Sequence, residues 1–198
     1  MRNINDSLQH VEDCQIVELV RSGQSETYGV LVFRYQKRLV LYVHHLIGAN
    51  EEAEDIVQNV FVKAYQNLNS FDTSRKFSSW IYRIAHNEAV NYLKKRSRRR
   101  LVSWEDVTTS KDKLETAGTE KSPEEDWLSQ ELELEVRTAI DKLPVKYRQV
   151  LTLRYYLDKS YKEISIIIEK PQNTVGTLLN RAKKRLLKII EMQEKKMR

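Results

Sequence analysis

Apolar side chains recur at steps of three and four residues along most of the chain, and this spacing constrains its fold more than any other feature. Such steps place side chains on one face of an α-helix. The clearest stripe consists of Ala53, Ile56, Val57, Val60, Phe61, Ala64 and Leu68. Similar spacing occurs over 13–23, 25–47, 79–93, 127–143, 145–156 and 164–190. With only five Gly and three Pro, the many tight turns of an all-β protein are excluded. The sequence therefore predicts an all-α protein.

The helical spacing fails between residues 102 and 126, where Ser, Thr, Lys, Asp and Glu predominate. Such a composition is typical of a flexible linker. The full length of 198 residues suits one large or two small domains. We therefore predict two helical domains, residues 1–101 and 127–198, joined by an acidic linker at 102–126.

Several classes of protein are excluded by what the sequence contains. A single cysteine, Cys14, rules out a disulfide framework and a cysteine-rich zinc site. No run approaches the roughly 18 apolar residues that a membrane span needs, and no signal peptide is evident. The four histidines are scattered and accompany neither a carboxylate pair nor a glycine-rich phosphate loop. We expect a cytoplasmic protein that is not an enzyme, binds no metal or cofactor and does not insert into a membrane.

The net charge of +6 conceals segments of opposite sign. Residues 75–101 carry +8 and residues 136–198 carry +10, whereas residues 1–74 carry −4 and residues 102–135 carry −8. Two basic blocks predict two anion-binding surfaces, and nucleic acid is the commonest partner of such surfaces. Basic side chains that merely solvate helix faces are the alternative interpretation.

The second basic block has the pattern of a helix-turn-helix. Ser160 and Glu163 are spaced as a capping box, a short apolar helix follows, and Glu169–Gln172 interrupts it. Asn173 or Thr174 is then expected to cap a second, longer helix. An ordinary helical hairpin with a basic outer face would give the same pattern. If the unit binds DNA, its second helix presents residues to base edges in the major groove. These are Gln172, Asn173, Gly176, Thr177, Asn180 and Arg181, with Lys183, Lys184 and Lys188 placed for phosphates.

The first basic block carries an aromatic residue among polar ones on a single helical face. The residues of this face are Trp80, Arg83, Asn87, Asn91 and Lys94. An aromatic platform with donors and a cationic rim suits unstacked bases, and the polar loop 69–77 could line a pocket for a flipped base. In the alternative interpretation, Trp80 and Phe77 complete a core while Arg83 extends to solvent. The residues alone leave both interpretations open.

The acidic start of the 51–68 helix cannot bind phosphate. Glu51, Glu52, Glu54 and Asp55 would repel it, so a bound partner should be a basic protein surface. The alternative is that these carboxylates only stabilise the positive end of a helix that Asn50 caps.

Several ordered motifs resemble the sigma-70 type of bacterial transcription factor. Residues 53–61 (AEDIVQNVF), 76–85 (KFSSWIYRIA) and Asn87 are similar to its region 2. A second set of motifs is similar to its region 4. These are 143–144 (LP), Arg148, 150–151 (VL), 153–155 (LRY), 160–164 (SYKEI), 174–175 (TV) and 181–182 (RA). The presence of these two regions alone, with a short linker, is similar to the extracytoplasmic-function (ECF) group.

The resemblance implies a subunit that binds core RNA polymerase and opens promoters. It implies that Glu54, Asp55, Gln58 and Asn59 dock on the clamp coiled coil of the β′ subunit. The −10 element and its unpaired strand would be held by Asn69, Ser70, Phe71, Lys76, Phe77, Trp80, Tyr82, Arg83, Asn87, Asn91 and Lys94. The −35 element would be read by Gln172, Asn173, Thr174, Gly176, Thr177, Asn180, Arg181 and Lys184. Further implied partners are the flap of the β subunit and an inhibitory anti-sigma factor, and the linker would run through polymerase channels.

This chain departs from the family pattern at four positions. The family often has Gly where Glu169 and Asn173 stand, and basic residues where Gly176 and Leu178 stand. We therefore expect weakened or altered −35 contacts with the fold retained. The competing hypothesis is a free-standing helix-turn-helix regulator, which assigns no function to Trp80.

Overall fold

A computed structural model describes residues 10–48, 50–102, 136 and 138–197. These residues form helices and connecting loops, with no β-strand among them, which confirms the all-α prediction. The α-helices are α1 (Asp13–Arg21), α2 (Tyr28–Ile47), α3 (Asn50–Gln66), α4 (Phe77–Val102), α5 (Val145–Leu151), α6 (Tyr161–Ile167) and α7 (Gln172–Met197). Shorter helical pieces are the 3₁₀ turns Ser25–Thr27 and Leu68–Ser70, the π-helical stretch Thr152–Tyr156 and residues 138–141.

Most predicted helix ends agree with the structure to within a few residues. Gly48 ends α2 in the left-handed conformation, at φ +73°, and its N–H donates to the His44 carbonyl over 2.8 Å. α4 begins at Phe77, two residues before the predicted start, and continues to Val102. The predicted linker therefore lies, apart from residue 102, outside the described residues, as does most of the predicted 127–143 helix.

The first four helices form one bundle. α2, α3 and α4 pack against one another, and α1 packs across α2. The apolar stripe predicted for residues 53–68 faces this core, with Ala53, Val60 and Ala64 fully buried. Ile81 and Ala85 of α4 complete the opposite wall. Charged positions on α3 and α4 consequently face outward.

The C-terminal helices form the predicted helix-turn-helix. Ser160 accepts from the N–H of Glu163 over 3.2 Å, and the Glu163 carboxylate accepts from the N–H of Ser160 over 2.9 Å, so the capping box is confirmed. Glu169 in the turn has φ +53°, a left-handed conformation that suits glycine. The predicted cap of α7 is wrong, because the helix begins at Gln172. Asn173 and Thr174 therefore lie inside its first turn.

The two helical units share one continuous hydrophobic core. α5 packs on α2, and α6 packs on α4. Arg148 of α5 joins the units, since its Nη1 donates to the carbonyl of His45 over 3.2 Å. No described helix has the length and apolar character that crossing a bilayer requires.

Candidate nucleic-acid interface

The loop between α3 and α4 is held in shape by its own side chains. Ser74 donates its N–H and its hydroxyl to Asp72 Oδ1, over 3.0 and 2.7 Å. These two hydrogen bonds lower the pKa of Asp72. Arg75 completes the turn, with Nε 3.2 Å from Asp72 Oδ2. The loop therefore presents its polar groups in a fixed arrangement before any ligand binds.

Arg21 of α1 fastens this loop to the bundle. Its Nη2 donates to the carbonyl oxygens of Leu68, Asn69 and Phe71, the first over 2.8 Å and the second over 3.3 Å. Its Nη1 pairs with Glu18 at 2.7 Å. Nothing in the sequence predicts this role of Arg21, because a lone arginine on an amphipathic helix gives no signal of a contact 50 residues away.

Three aromatic rings meet where the loop enters α4. The Trp80 ring lies 5.0 Å from the Phe71 ring and 5.6 Å from the Phe77 ring, centroid to centroid. Phe71 and Phe77 are buried, whereas Trp80 is half-buried. Phe77 therefore completes the core, as the alternative interpretation holds. Trp80 rests on that core with part of its ring accessible.

A cavity of about 460 Å³ opens over Trp80, and we call it the tryptophan cavity. Its lining from the first unit is Ser70, Phe71, Asp72, Ser74, Arg75, Lys76, Ser79, Trp80 and Arg83, and from the second unit Ser160, Lys162, Glu163 and Ile166. It combines an aromatic wall with guanidinium and ammonium groups, which suits a base and its phosphate. The Ser79 hydroxyl is buried with no hydrogen-bond partner among the described residues. It is a free polar group in the wall, and nothing in the sequence predicts its place there.

The remaining residues predicted for the −10 element do not line the tryptophan cavity. Asn69 and Asn87 are exposed outside it. Asn91 and Lys94 line a separate basic groove of about 370 Å³, together with Lys63, Glu88, Lys95 and Arg98.

Tyr82 differs from the other predicted −10 residues because it is only 1% exposed. Its ring meets that of Tyr42 edge to face, at 5.6 Å. Burial raises its pKa above the usual range of tyrosine. Tyr82 therefore acts as a core residue in this conformation, and its predicted contact with DNA requires the chain to rearrange.

The outer face of α7 is open. Gln172, Asn173, Thr177, Asn180, Arg181 and Lys184 are exposed, while Thr174 and Gly176 are half-buried. The Thr177 hydroxyl donates to the Asn173 carbonyl over 2.9 Å. The structure thus places the predicted duplex-reading residues along one accessible strip, with Gly176 leaving a gap in its middle.

The outer face of α3 is acidic at one end and apolar at the other. Glu54, Asp55, Gln58 and Asn59 are all exposed, as predicted. Val62 and Tyr65 continue the same face and are 54% and 46% exposed. Solvent-facing apolar side chains beside carboxylates are typical of a protein-docking surface. The predicted docking residues cover only the polar part of this face.

Buried histidines lie beneath these surfaces. His86 Nδ1 lies 3.1 Å from the Tyr42 hydroxyl. Burial, with a smaller effect from the charge of Lys170, lowers the pKa of His86 to about 4. Within the described ranges, no three His, Cys, Asp or Glu side chains stand together as metal ligands would.

Fold and charge together define a class: an all-α protein with a helix-turn-helix and a separate basic, aromatic cavity. Known families match both units. The sigma-70 region 2 family matches residues 31–99, and the sigma-70 region 4 family matches residues 133–186.

Curated relatives match nearly the whole chain. The RNA polymerase sigma-H factor of Pseudomonas aeruginosa is 33% identical over 188 residues, covering 93% of this chain and 96% of its own. The ECF RNA polymerase sigma factor SigW of Bacillus subtilis is 33% identical, covering 87% and 93%. The ECF RNA polymerase sigma-E factor of Escherichia coli is 35% identical, covering 88% and 92%.

A solved structure confirms the fold. CnrH, in complex with the cytosolic domain of CnrY, superposes with a TM-score of 0.66 at 22% identity, covering 91% of this chain and 97% of its own. The chain belongs to the sigma-70 family of RNA polymerase sigma factors, in the ECF group. Its partners are core RNA polymerase and promoter DNA, and the free-standing regulator is not favoured because region 2 is matched as well.

Proposed function

We propose that this sigma factor divides promoter recognition among three surfaces. The outer face of α3 docks on core polymerase, the tryptophan cavity holds the unpaired strand of the −10 element, and the outer strip of α7 reads the −35 duplex. The supporting observation is the tryptophan cavity, in which an aromatic wall, four cations and a free hydroxyl meet.

The α3 face is suited to protein and not to DNA. Its carboxylates at Glu54 and Asp55 repel phosphate, and exposed Val62 and Tyr65 offer apolar area for a partner. A basic protein surface such as the β′ clamp coiled coil fits this combination. An anti-sigma factor would inhibit most directly by covering this face, and the structurally similar sigma factor RpoE of Bartonella quintana has been solved in complex with the anti-sigma factor NepR.

The two DNA surfaces differ in the form of DNA that they suit. The tryptophan cavity has an aromatic stacking wall and cationic side chains around it, so it favours an unstacked base. The exposed amides and Arg181 of α7 suit base edges in a major groove. The loss of a side chain at Gly176 makes this readout weaker than that of a fully basic helix.

Paired substitutions separate the core-binding and strand-holding roles. Trp80→Ala should retain core binding and lose promoter opening, whereas Asp55→Lys should weaken core binding. Pull-down with core polymerase measures the first role, and run-off transcription with permanganate detection of unpaired thymine measures the second.

Trp80→Phe and Asp55→Asn are the matched controls, because they keep an aromatic wall and the side-chain volume. If Trp80→Ala and Asp55→Lys share one defect, the division of surfaces is refuted. Helical content and melting temperature of each variant identify a folding defect.

We further propose the domain limits 1–101, 102–126 and 127–198, a cytoplasmic location beside the polymerase, and no catalytic role for this chain. Sigma factors in general are not enzymes. Limited proteolysis that yields two stable fragments would support the limits, and cleavage inside α4 first would contradict them.

A further inference from the structure

One position in the outer strip of α7 has no side chain of its own. Gly176 lies in this strip between Asn173 and Asn180, which are both exposed, yet the glycine is half-buried. A Cβ atom at position 176 would lie 3.5 Å from Cε1 of Tyr161. The aromatic ring of Tyr161 therefore stands beside the gap that the glycine leaves.

Tyr161 reaches this gap from the other helix of the helix-turn-helix. It is the first residue of α6, directly after the N-cap Ser160. Ser160, Lys162 and Glu163 line the tryptophan cavity, whereas Tyr161 does not. Successive side chains of a helix point about 100° apart, so that Tyr161 is turned toward α7 while its neighbours face the first unit. Tyr161 is 44% exposed, and its ring is therefore accessible beside the duplex-reading strip.

A cation restricts the orientation of the Tyr161 ring. The guanidinium carbon of Arg154 lies 5.9 Å from the centre of this ring, within the range of a cation–π attraction. Arg154 is itself held, because its Nη1 donates to the Lys159 carbonyl over 3.1 Å. Contact with Gly176 and with Arg154 orders the ring before DNA binds. Such an ordered side chain loses little further entropy when it meets a ligand.

The surroundings of the ring are positively charged. Lys183 lies two helical turns after Gly176 and consequently on the same side of α7. Its Nζ is 5.3 Å from the centre of the exposed Tyr155 ring. Lys183 and Arg154 suit the phosphates that border a major groove. The Tyr161 ring, which carries no charge, is left to meet the edge of a base.

We infer that Tyr161 is a specificity-determining residue for the upstream duplex, and that its ring makes an apolar contact with the 5-methyl group of a thymine. Thymine displays this methyl group in the major groove, where apolar side chains distinguish it from the other bases. Position 176 of α7 offers no side chain for such a contact, so the ring from α6 supplies it. The inference rests on the proposed reading of the −35 duplex by α7.

The test uses the full chain assembled with core polymerase. Duplexes with a randomised stretch are selected by binding and sequenced for the parent, Tyr161→Ala and Tyr161→Phe. Each selected thymine is then replaced by deoxyuridine, which removes only the methyl group, and the ratio of the two affinities is measured by competition. Phe33→Ala is the matched control, because Phe33 of α2 is an aromatic residue that is 68% exposed and belongs to none of the three proposed surfaces.

We expect Tyr161→Ala to lose the preference for thymine at one base pair and to keep the others. At that pair, deoxyuridine should weaken the binding of the parent, Tyr161→Phe and Phe33→Ala by about three- to fivefold, as expected for one buried methyl group. It should leave the binding of Tyr161→Ala unchanged. Because this ratio compares two ligands of the same protein, a general loss of stability does not alter it.

Two outcomes overturn the inference. One is a uniform loss of affinity in Tyr161→Ala with every base preference kept, which would leave Tyr161 a phosphate contact only. The other is a parent that tolerates deoxyuridine at every selected thymine. Arg181→Ala separates the inference from the proposed function. If Arg181→Ala loses a base preference and Tyr161→Ala does not, the inference alone fails. If the parent selects no upstream sequence, the duplex-reading role of α7 is refuted together with it.

Discussion

Arg21 lies on a helix that carries none of the predicted site residues, yet it fixes the loop that leads into the tryptophan cavity. One guanidinium serves three carbonyl groups and Glu18 at once. Such a fork of donors is a property of arginine that lysine lacks. Arg21 therefore supplies the polar contacts that tie the start of the loop, up to Phe71, to α1.

We predict that Arg21→Ala weakens strand binding and lowers the free energy of unfolding by about 2 kcal/mol, because charge-assisted hydrogen bonds to carbonyls are lost. Arg21→Lys should restore only part of both. Urea denaturation and anisotropy with a labelled single strand measure the two effects. Glu18→Gln, which removes only an exposed ion-pair partner, is the control, and an equal loss in that variant would contradict the prediction.

His86 should give the protein a dependence on mild acid. Burial and Lys170 lower its pKa to about 4, while the unfolded chain takes up this proton near pH 6.5. The unfolded state therefore binds more protons between these values, and stability is lost as the pH falls through them. The loss of unfolding free energy that His86 causes approaches about 3 kcal/mol at pH 4.

The prediction for His86 is checked by measuring the free energy of unfolding from pH 7 to pH 4 in the parent and in His86→Asn. Asparagine retains a polar atom near the Tyr42 hydroxyl but does not titrate. The curve of the variant should be flatter in this range. Parallel curves would show that His86 does not take up a proton preferentially in the unfolded chain.

At the scale of single elements, α7 contains one glycine that lowers the stability of the helix and can be replaced. Gly176 lies within the helix, where glycine costs about 1 kcal/mol relative to alanine. A Cβ atom there would lie 3.5 Å from Tyr161 Cε1, an ordinary contact. The space around position 176 therefore does not require a glycine.

Gly176→Ala should raise the free energy of unfolding by about 0.5–1 kcal/mol, measured by chemical denaturation. Gly48→Ala is the informative control, because Gly48 ends α2 at φ +73° and a side chain there is strained. It should destabilise by about 1 kcal/mol. Destabilisation by both substitutions would mean that α7 needs the glycine for a reason other than backbone conformation.

The π-helical stretch after α5 has no signal in the sequence. The Leu157 N–H donates to the Thr152 carbonyl over 3.2 Å, five residues back, so the turn is wider than in an α-helix. Within this stretch, the Tyr156 ring comes to lie 4.8 Å from the ring of His45 in the other unit. A packing contact between the units thus accompanies this local geometry.

On the scale of the whole molecule, Arg148 couples the two units. Its Nη2 donates to the carbonyls of Asp141 and Leu143, over 2.8 and 3.1 Å, and its Nη1 to those of His45 and Leu46, over 3.2 and 3.5 Å. The last carbonyls of a helix have no partner within it, and a cation there also meets the negative end of the helix dipole.

We predict that Arg148→Ala reduces protection from amide hydrogen exchange in the last turn of α2 and in α5 together. The expected loss of stability is about 2–3 kcal/mol, since several hydrogen bonds to a charged group disappear. Arg154→Ala is the control, because the Nη1 of Arg154 donates to the Lys159 carbonyl within its own unit. Loss of protection confined to α5 in the Arg148 variant would show that the units are not coupled there.

The sequence by itself determined the helices, the helix-turn-helix and the faces that remain exposed. Helical spacing, the Ser160 capping box and the Gly48 stop are local, since each depends on residues within about four positions. The charge blocks predicted which outer faces suit DNA and which suit protein. For Glu54 to Asn59 and for most of the strip on α7, the structure shows that the predicted residues are exposed.

Only the tertiary structure decided which residues form the cavity and what covers it. Ser79 lines it and Arg21 holds the neighbouring loop, and neither position carries a periodic signal. Tyr82, selected by resemblance, is withdrawn into the core. The pairing of Glu163 with Lys76 spans 87 positions. Such contacts depend on how complete helices pack, because burial of apolar faces orients each helix and so fixes which charges meet.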